Sequence, residues 1–205
     1  MSGAAENGKP AQGISRRDVL RNLAAGAAGG SALQMIPLHA AAMAHKMILA
    51  EKAASPAGKY EPKFFPAHQY ATLLALCDAI IPQDEISGGA VEAGAPEFID
   101  LLTSENEQYQ EILGGGLMWL DSFCMDKYGK TFLECAPKQG KEALDLIAYR
   151  KNALNDPTLS QGIAFFAKLR RMTCAGFYTA KIGIEDLKYI GNTALAEFRG
   201  CPPLP

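Results

Sequence analysis

The chain reads as an all-α protein, a compact bundle of about six to seven short helices with an irregular C-terminal tail. Three observations predict this. From Pro66 onward apolar residues recur at spacings of three and four. Alternating apolar and polar runs long enough for a strand are almost absent. Prolines stand at the ends or first turns of the periodic segments, at Pro82, Pro96 and Pro137, where a missing N–H costs least.

Taken in order, Tyr70, Leu73, Leu74, Cys77, Ile80 and Ile81 mark a first helix over Ala67 to Ile81, ended by Pro82. The stretch Gln83 to Gly94, with its glycine pair, is a loop. A second short helix runs from Ala95-Pro96 through Leu102. A third spans Glu105 to Tyr128, with Tyr109, Ile112, Leu113, Leu117, Met118, Leu120, Phe123 and Met125 on its apolar faces. Gly114-Gly115-Gly116 sits in its middle. Each helical glycine costs about 1 kcal/mol relative to alanine, so the run marks a break or a close approach of another segment. Thr131-Phe132-Leu133 reads as a turn, Pro137 opens a helix to about Lys151, and Asn152 to Leu159 is a connector. The last helix, Ser160 to Ala180, is apolar over most of its circumference, which suits a central element or one covered by a partner. Gly183 and the turn Ile184 to Asn192 lead into an irregular tail from Thr193 that cannot be helical past Pro202.

Ahead of this domain, residues 1–44 carry a different signature. Arg16 and Arg17 follow Ser15, no charged residue occurs from Asn22 to Ala44, and the run ends in small residues with small-x-small steps at Ala40-Ala41-Ala42 and Ala42-Met43-Ala44. Gly26, Gly29, Gly30, Gln34 and Pro37 make it a poor membrane span. The S-R-R-x-x-L pattern resembles a twin-arginine export signal, a receptor-read address for cargo that crosses the bacterial inner membrane folded. Residues 45–65, with Ser55-Pro56, Gly58 and Pro62, are expected to form an extended linker with little packing, and 66–205 the helical domain. The full chain has 20 Lys+Arg and 22 Asp+Glu; without Lys9, Arg16, Arg17, Arg21, Glu6 and Asp18 the balance is 16 to 20, a net charge of −4. That argues against a nucleic-acid partner.

Motifs for bound chemistry are absent: no C-x-x-C-H, no paired C-x-x-C, no H-E-x-x-H, no phosphate-cradling glycine loop. His68 is taken as the sole histidine of the domain. The most polar cluster is Asp78, Asp84 and Glu85 in "CDAIIPQDE". Those carboxylates suit a cation or acid–base work, or, structurally, turn capping; the spacing lacks the alternation of a calcium loop. Five cysteines, Cys77, Cys124, Cys135, Cys174 and Cys201, are widely spaced and suit disulfides in an oxidising compartment, or small apolar packing. The odd number leaves at least one thiol free or paired outside the chain, with Cys201 or Cys174 the best placed.

Four segments, "LLALCDAIIPQDEISGGAVEAGAPEFID", "YGKTFLECAPKQGKEALDLIA", "FFAKLRRMTCAGFYTAKIGIEDLKYIGN" and "EFRGCPP", together resemble the gluconate 2-dehydrogenase subunit 3 family from about Phe65 to Pro203. The resemblance implies a small helical subunit without a cofactor of its own and without catalytic residues, accompanying a large FAD-dependent dehydrogenase of the glucose-methanol-choline type, in many cases with a cytochrome c subunit. It implies that Arg16 and Arg17 hand both chains to the twin-arginine translocase and that the complex works in the periplasm. Phe165, Phe166, Leu169, Arg170, Met172 and Phe177 on the last helix, with Phe198, Arg199 and Cys201 on the tail, are then the candidate partner contacts. Two rivals stand beside it: a stand-alone exported enzyme using Asp78, Asp84, Glu85 and His68, and an exported binding module.

Overall fold

The computed structural model describes residues 38–189 and 191. Among them the all-α expectation holds: there is no strand, and eight helices of four or more residues follow one another. The irregular tail expected from Thr193 lies outside the described residues.

The first helix corrects the sequence reading. Residues 45–65 are not an extended linker with little packing: α1 runs Leu38–Ala54, and Ala40, Ala41, Met43, Ala44 and Ile48 are buried. The small alanines let its backbone lie close on its neighbours, chiefly α3. The strap that follows is packed as well, with Tyr60 and Phe65 in the core.

Helix α2 (Ala67–Ile80) ends one residue earlier than expected, with the Ile81 N–H on Cys77 O at 3.0 Å before Pro82. The loop to Gly94 folds back so tightly that a Cβ on Gly89 would lie 2.7 Å from the Gln83 nitrogen. Gly94 turns into α3 (Ala95–Ser104) with φ +81°, and Pro96 occupies the first turn. Eight of the ten residues of α3 are buried, Asp100 among them.

Asn106 caps the next stretch by accepting the Tyr109 N–H at 3.0 Å. A π turn over Gln110–Gly114 then leads into α4 (Gly115–Tyr128). The glycine run marks both of its expected alternatives, an irregular turn and a close approach. A Cβ on Gly116 would fall inside the Phe165 side chain, and one on Gly162 inside the Trp119 ring. Each helix thus offers a glycine to the other's aromatic residue.

Gly129, at φ +68°, ends α4. Thr131 and Glu134 form a capping box around the 3-10 turn Phe132–Glu134, which joins α5 (Pro137–Ile147). Helix α5 stops short of Lys151 because the Asn152 amide donates to Leu146 O at 2.7 Å. The expected connector contains a helical turn, α6 (Asn152–Asn155), and the 3-10 turn Pro157–Leu159. Helix α7 (Ser160–Tyr178) is the central element, packed against α2, α3, α4 and α5, and α8 (Lys181–Asp186) follows it. Burial of large side chains such as Phe98, Phe165, Leu169 and Met172 contributes roughly 1.5–3 kcal/mol each.

Candidate functional site

The acidic cluster does not assemble. Asp78 and Glu85 are exposed, and Asp84 accepts the N–H groups of Ile86 and Ser87, both at 2.8 Å. Those two bonds, Ser87's first, hold the exposed Asp84 carboxyl below its ordinary range. It caps a turn. His68 stands at the opposite end of α2 from Asp78, ten residues and about 15 Å away along the axis, where its Nε2 meets Asp121 Oδ2 at 2.7 Å. Asp121 also takes the Phe132 N–H at 3.0 Å on Oδ1, so the His68 pair belongs to a structural junction. No three His, Cys, Asp or Glu side chains among the described residues converge as a metal site.

The candidate contacts on α7 also need correction. Phe165, Phe166, Leu169, Met172 and Phe177 are buried in the domain, because α7 has neighbours on nearly every side, and they serve its packing. Arg170 is exposed, as is Arg171. Phe198, Arg199 and Cys201 lie outside the described residues.

Around the outer side of α7, two surface features remain. Ile112, Arg150, Ile163, Lys168 and Arg171 line a depression of about 400 Å³. Its cations have no carboxylate partner among the described residues; the Lys168 ammonium instead lies 4.0 Å from the Tyr109 ring centroid. Burial, then Arg171, pulls the Lys168 pKa down. The depression is therefore a small cationic surface on an acidic domain. An apolar groove of about 510 Å³ runs between α2, the 3-10 turn and α5, lined by Ala75, Phe132, Leu133, Cys135, Leu144 and Phe166.

Two polar groups, one buried and one half-buried, escaped the sequence reading. Asp100, fully buried, accepts the Tyr60 hydroxyl at 2.8 Å and the N–H groups of Lys63, Phe64 and Phe65 at 2.7, 3.1 and 3.0 Å. It clamps the strap to α3. Burial, then the adjacent Asp100, drives the Tyr60 hydroxyl far above its ordinary pKa. His45 is the second, so His68 is not the sole histidine of the fold. Its ring stacks on Phe98 at 5.2 Å and contacts Thr179 Oγ1 at 3.0 Å. Burial lowers its pKa, opposed by a backbone hydrogen bond at Gly176 and by Glu97. For Asp100 a signal exists: one carboxylate inside the run Phe98-Ile99-Asp100-Leu101-Leu102 is placed for a buried partner.

Cys77, Cys124, Cys135 and Cys174 are thiols in the structure. Cys77 contacts the Thr173 hydroxyl at 3.6 Å, and burial pushes its thiol up to about 12.

This geometry gives a helical domain whose most conspicuous polar side chains are engaged in capping and clamping. The decisive comparison is with protein families: a family model described as gluconate 2-dehydrogenase subunit 3 matches residues 67–196. The chain belongs to the gluconate 2-dehydrogenase subunit 3 family. No curated protein and no solved structure matches it. The subunit 3 match opens at the first residue of α2, so α1 and the Asp100-clamped strap precede it. Within the subunit 3 region, the sole run of three glycines is no open backbone cradle, since Gly114 faces Phe64 and Gly116 faces Phe165. Among the described residues no helix is long and apolar enough to cross a membrane.

Proposed function

We propose that this subunit 3 member is the non-catalytic small chain of a periplasmic, FAD-dependent dehydrogenase of the glucose-methanol-choline type acting on a sugar, sugar acid or glycoside. It supports the folding and stability of the large flavoprotein chain and carries it to the twin-arginine translocase. The observation that carries this reading is the family match over 67–196. Two others support it. Ser15-Arg16-Arg17 precedes a small-residue run without charge from Asn22 to Ala44, and the polar groups that looked chemical are engaged locally, Asp84 with its own loop and His68 with Asp121.

In this reading the flavin is held by the large chain, whose loading with FAD before export supplies the need for a folded-protein route. Where the assembly includes a cytochrome c subunit, electrons pass to it rather than through this chain. Arg150, Arg170, Lys168 and Arg171 meet acidic groups of the large chain, a pairing that steers association and fixes register more than it adds affinity.

The test is gentle affinity purification from the native host followed by a visible absorption spectrum. Flavin bands from a co-purifying large chain are the expected result. A colourless, monodisperse monomer overturns the proposal and returns attention to the exported-module reading. Turnover of a sugar by the isolated chain does so in favour of the stand-alone enzyme.

A further inference from the structure

Cys124 lies in the penultimate turn of α4, and Cys135 ends the 3-10 turn that follows. The segment between them is held at several points. Gly129, with φ +68°, reverses the chain and donates its N–H to Met125 O at 2.9 Å. Thr131 gives both its N–H and its hydroxyl to Glu134 Oε2, at 2.9 and 2.8 Å. The Phe132 N–H is bound to Asp121 Oδ1 at 3.0 Å.

That last bond sets the register. Cys124 is three residues beyond Asp121 on the same face of α4, and Cys135 is three beyond Phe132, one full turn of a 3-10 helix. The Asp121–Phe132 bond holds the start of the 3-10 turn against α4, one helical turn before Cys124. Cys135 packs against the buried apolar cluster that contains Cys124, and the two thiols lie within interacting distance. The other two thiols have different surroundings: Cys77 is engaged with Thr173, and Cys174 is half-buried on α7.

We propose that Cys124 and Cys135 close an intrachain disulfide by exchange with an external disulfide. Cys124 is buried and Cys135 is partly exposed along the apolar groove, so Cys135 reacts first. Its thiolate attacks one sulfur of the external disulfide and expels one thiolate, leaving a mixed disulfide. Cys124 then gives up its proton to solvent and attacks the Cys135 sulfur, expelling the second thiolate. Two S–H bonds become one S–S bond, and the two electrons leave on the external disulfide, now two thiols. The burial that raises the Cys124 thiol makes this second attack the slower one.

The reaction does not depend on the accessory-subunit reading and is tested on the purified full chain. Reduced protein is incubated with oxidised glutathione, alkylated, and weighed intact. The expected product carries two fewer alkyl groups. Asp121, Asp126, Lys127 and Lys130 let trypsin and an aspartate-directed protease put the two cysteines on separate peptides, recovered joined. Its melting temperature rises by roughly 5–10 °C and falls back on reduction. Cys135→Ser, at the more exposed position, removes both effects, while Cys124→Ala traps a glutathione adduct on Cys135. Full alkylation after glutathione treatment overturns the proposal, as does a bridge that includes Cys77, Cys174 or Cys201.

Discussion

The backbone of Gly116 in α4 lies directly against the side chain of Phe165 in α7, and Gly162 of α7 meets Trp119 of α4 in the same way. The two contacts differ in what can yield. A methyl at 116 would strike Phe165 as far in as Cβ, and Phe165 is fully enclosed; a methyl at 162 would strike the far ring carbons of Trp119, a half-exposed side chain stacked on Phe123 at 5.1 Å. Gly116→Ala is expected to destabilise by about 3 kcal/mol despite a gain of about 1 kcal/mol in helix propensity. Gly162→Ala costs about 1 kcal/mol, as Trp119 pivots outward. Urea denaturation of both variants checks the order.

Asp100 holds the strap through four hydrogen bonds in a fully buried position. Asp100→Ala strands those donors and is expected to cost about 3 kcal/mol or more. Tyr60→Phe removes a single bond and costs about 1 kcal/mol. Near-equal melting temperatures for the two variants would contradict the clamp.

His45 gives the stability a pH dependence of known sign. Its folded pKa lies below the ordinary value of about 6.5, chiefly through burial. Below about pH 6.5 the unfolded chain therefore binds a proton that the folded chain refuses. The stability associated with a neutral His45 is present above that pH and declines as the pH falls toward the folded value. Denaturant titrations between pH 5 and 8, roughly the histidine window, are expected to show this slope in the wild type and a flatter one in His45→Gln.

The cationic depression gives a partner prediction. Reversing Arg150 and Arg171 to Glu changes exposed side chains and is expected to leave the melting temperature within a few degrees. Capture of the large chain weakens by about tenfold or more, most at low salt. Undiminished capture at low salt would remove this surface from the interface.

Replacing Arg16 and Arg17 by Lys is expected to leave this chain and the dehydrogenase activity in the cytoplasm. Normal periplasmic activity in that strain would refute co-export.

Much of the helical order was legible because its signals are local. Pro82 and Pro96 flank the loop before α3, and the fourfold spacing of Leu73 and Cys77 fits the buried side of α2, where Leu76 rather than Leu74 is enclosed. Helix α1 was not legible, because it buries small residues, Ala40, Ala41 and Ala44, which leave no stripe of large apolar side chains. The apolar circumference of α7 was ambiguous for a different reason. A central helix and a partner-covered helix look alike until the neighbours are placed, and here α3 and α4 take the positions reserved for a partner. The acidic cluster misled because Asp78 and Asp84 are close in sequence only; Pro82 ends α2 between them and the chain turns away. The Asp100 and His45 sites depend on partners 40 and 134 residues distant, at Tyr60 and Thr179, which no local pattern encodes.

The placement of α1 bears on whether a leader ending at the small-x-small steps can be cut from the folded chain. Ala42 and Ala44, each the last residue of a small-x-small step, are wound into a helix docked on α3. Proteases take their substrates as locally unfolded chain, so cutting there requires α1 to come away first. In the export reading, a chain that has seated α1 therefore resists cutting at these two steps, and one that has not remains open to it.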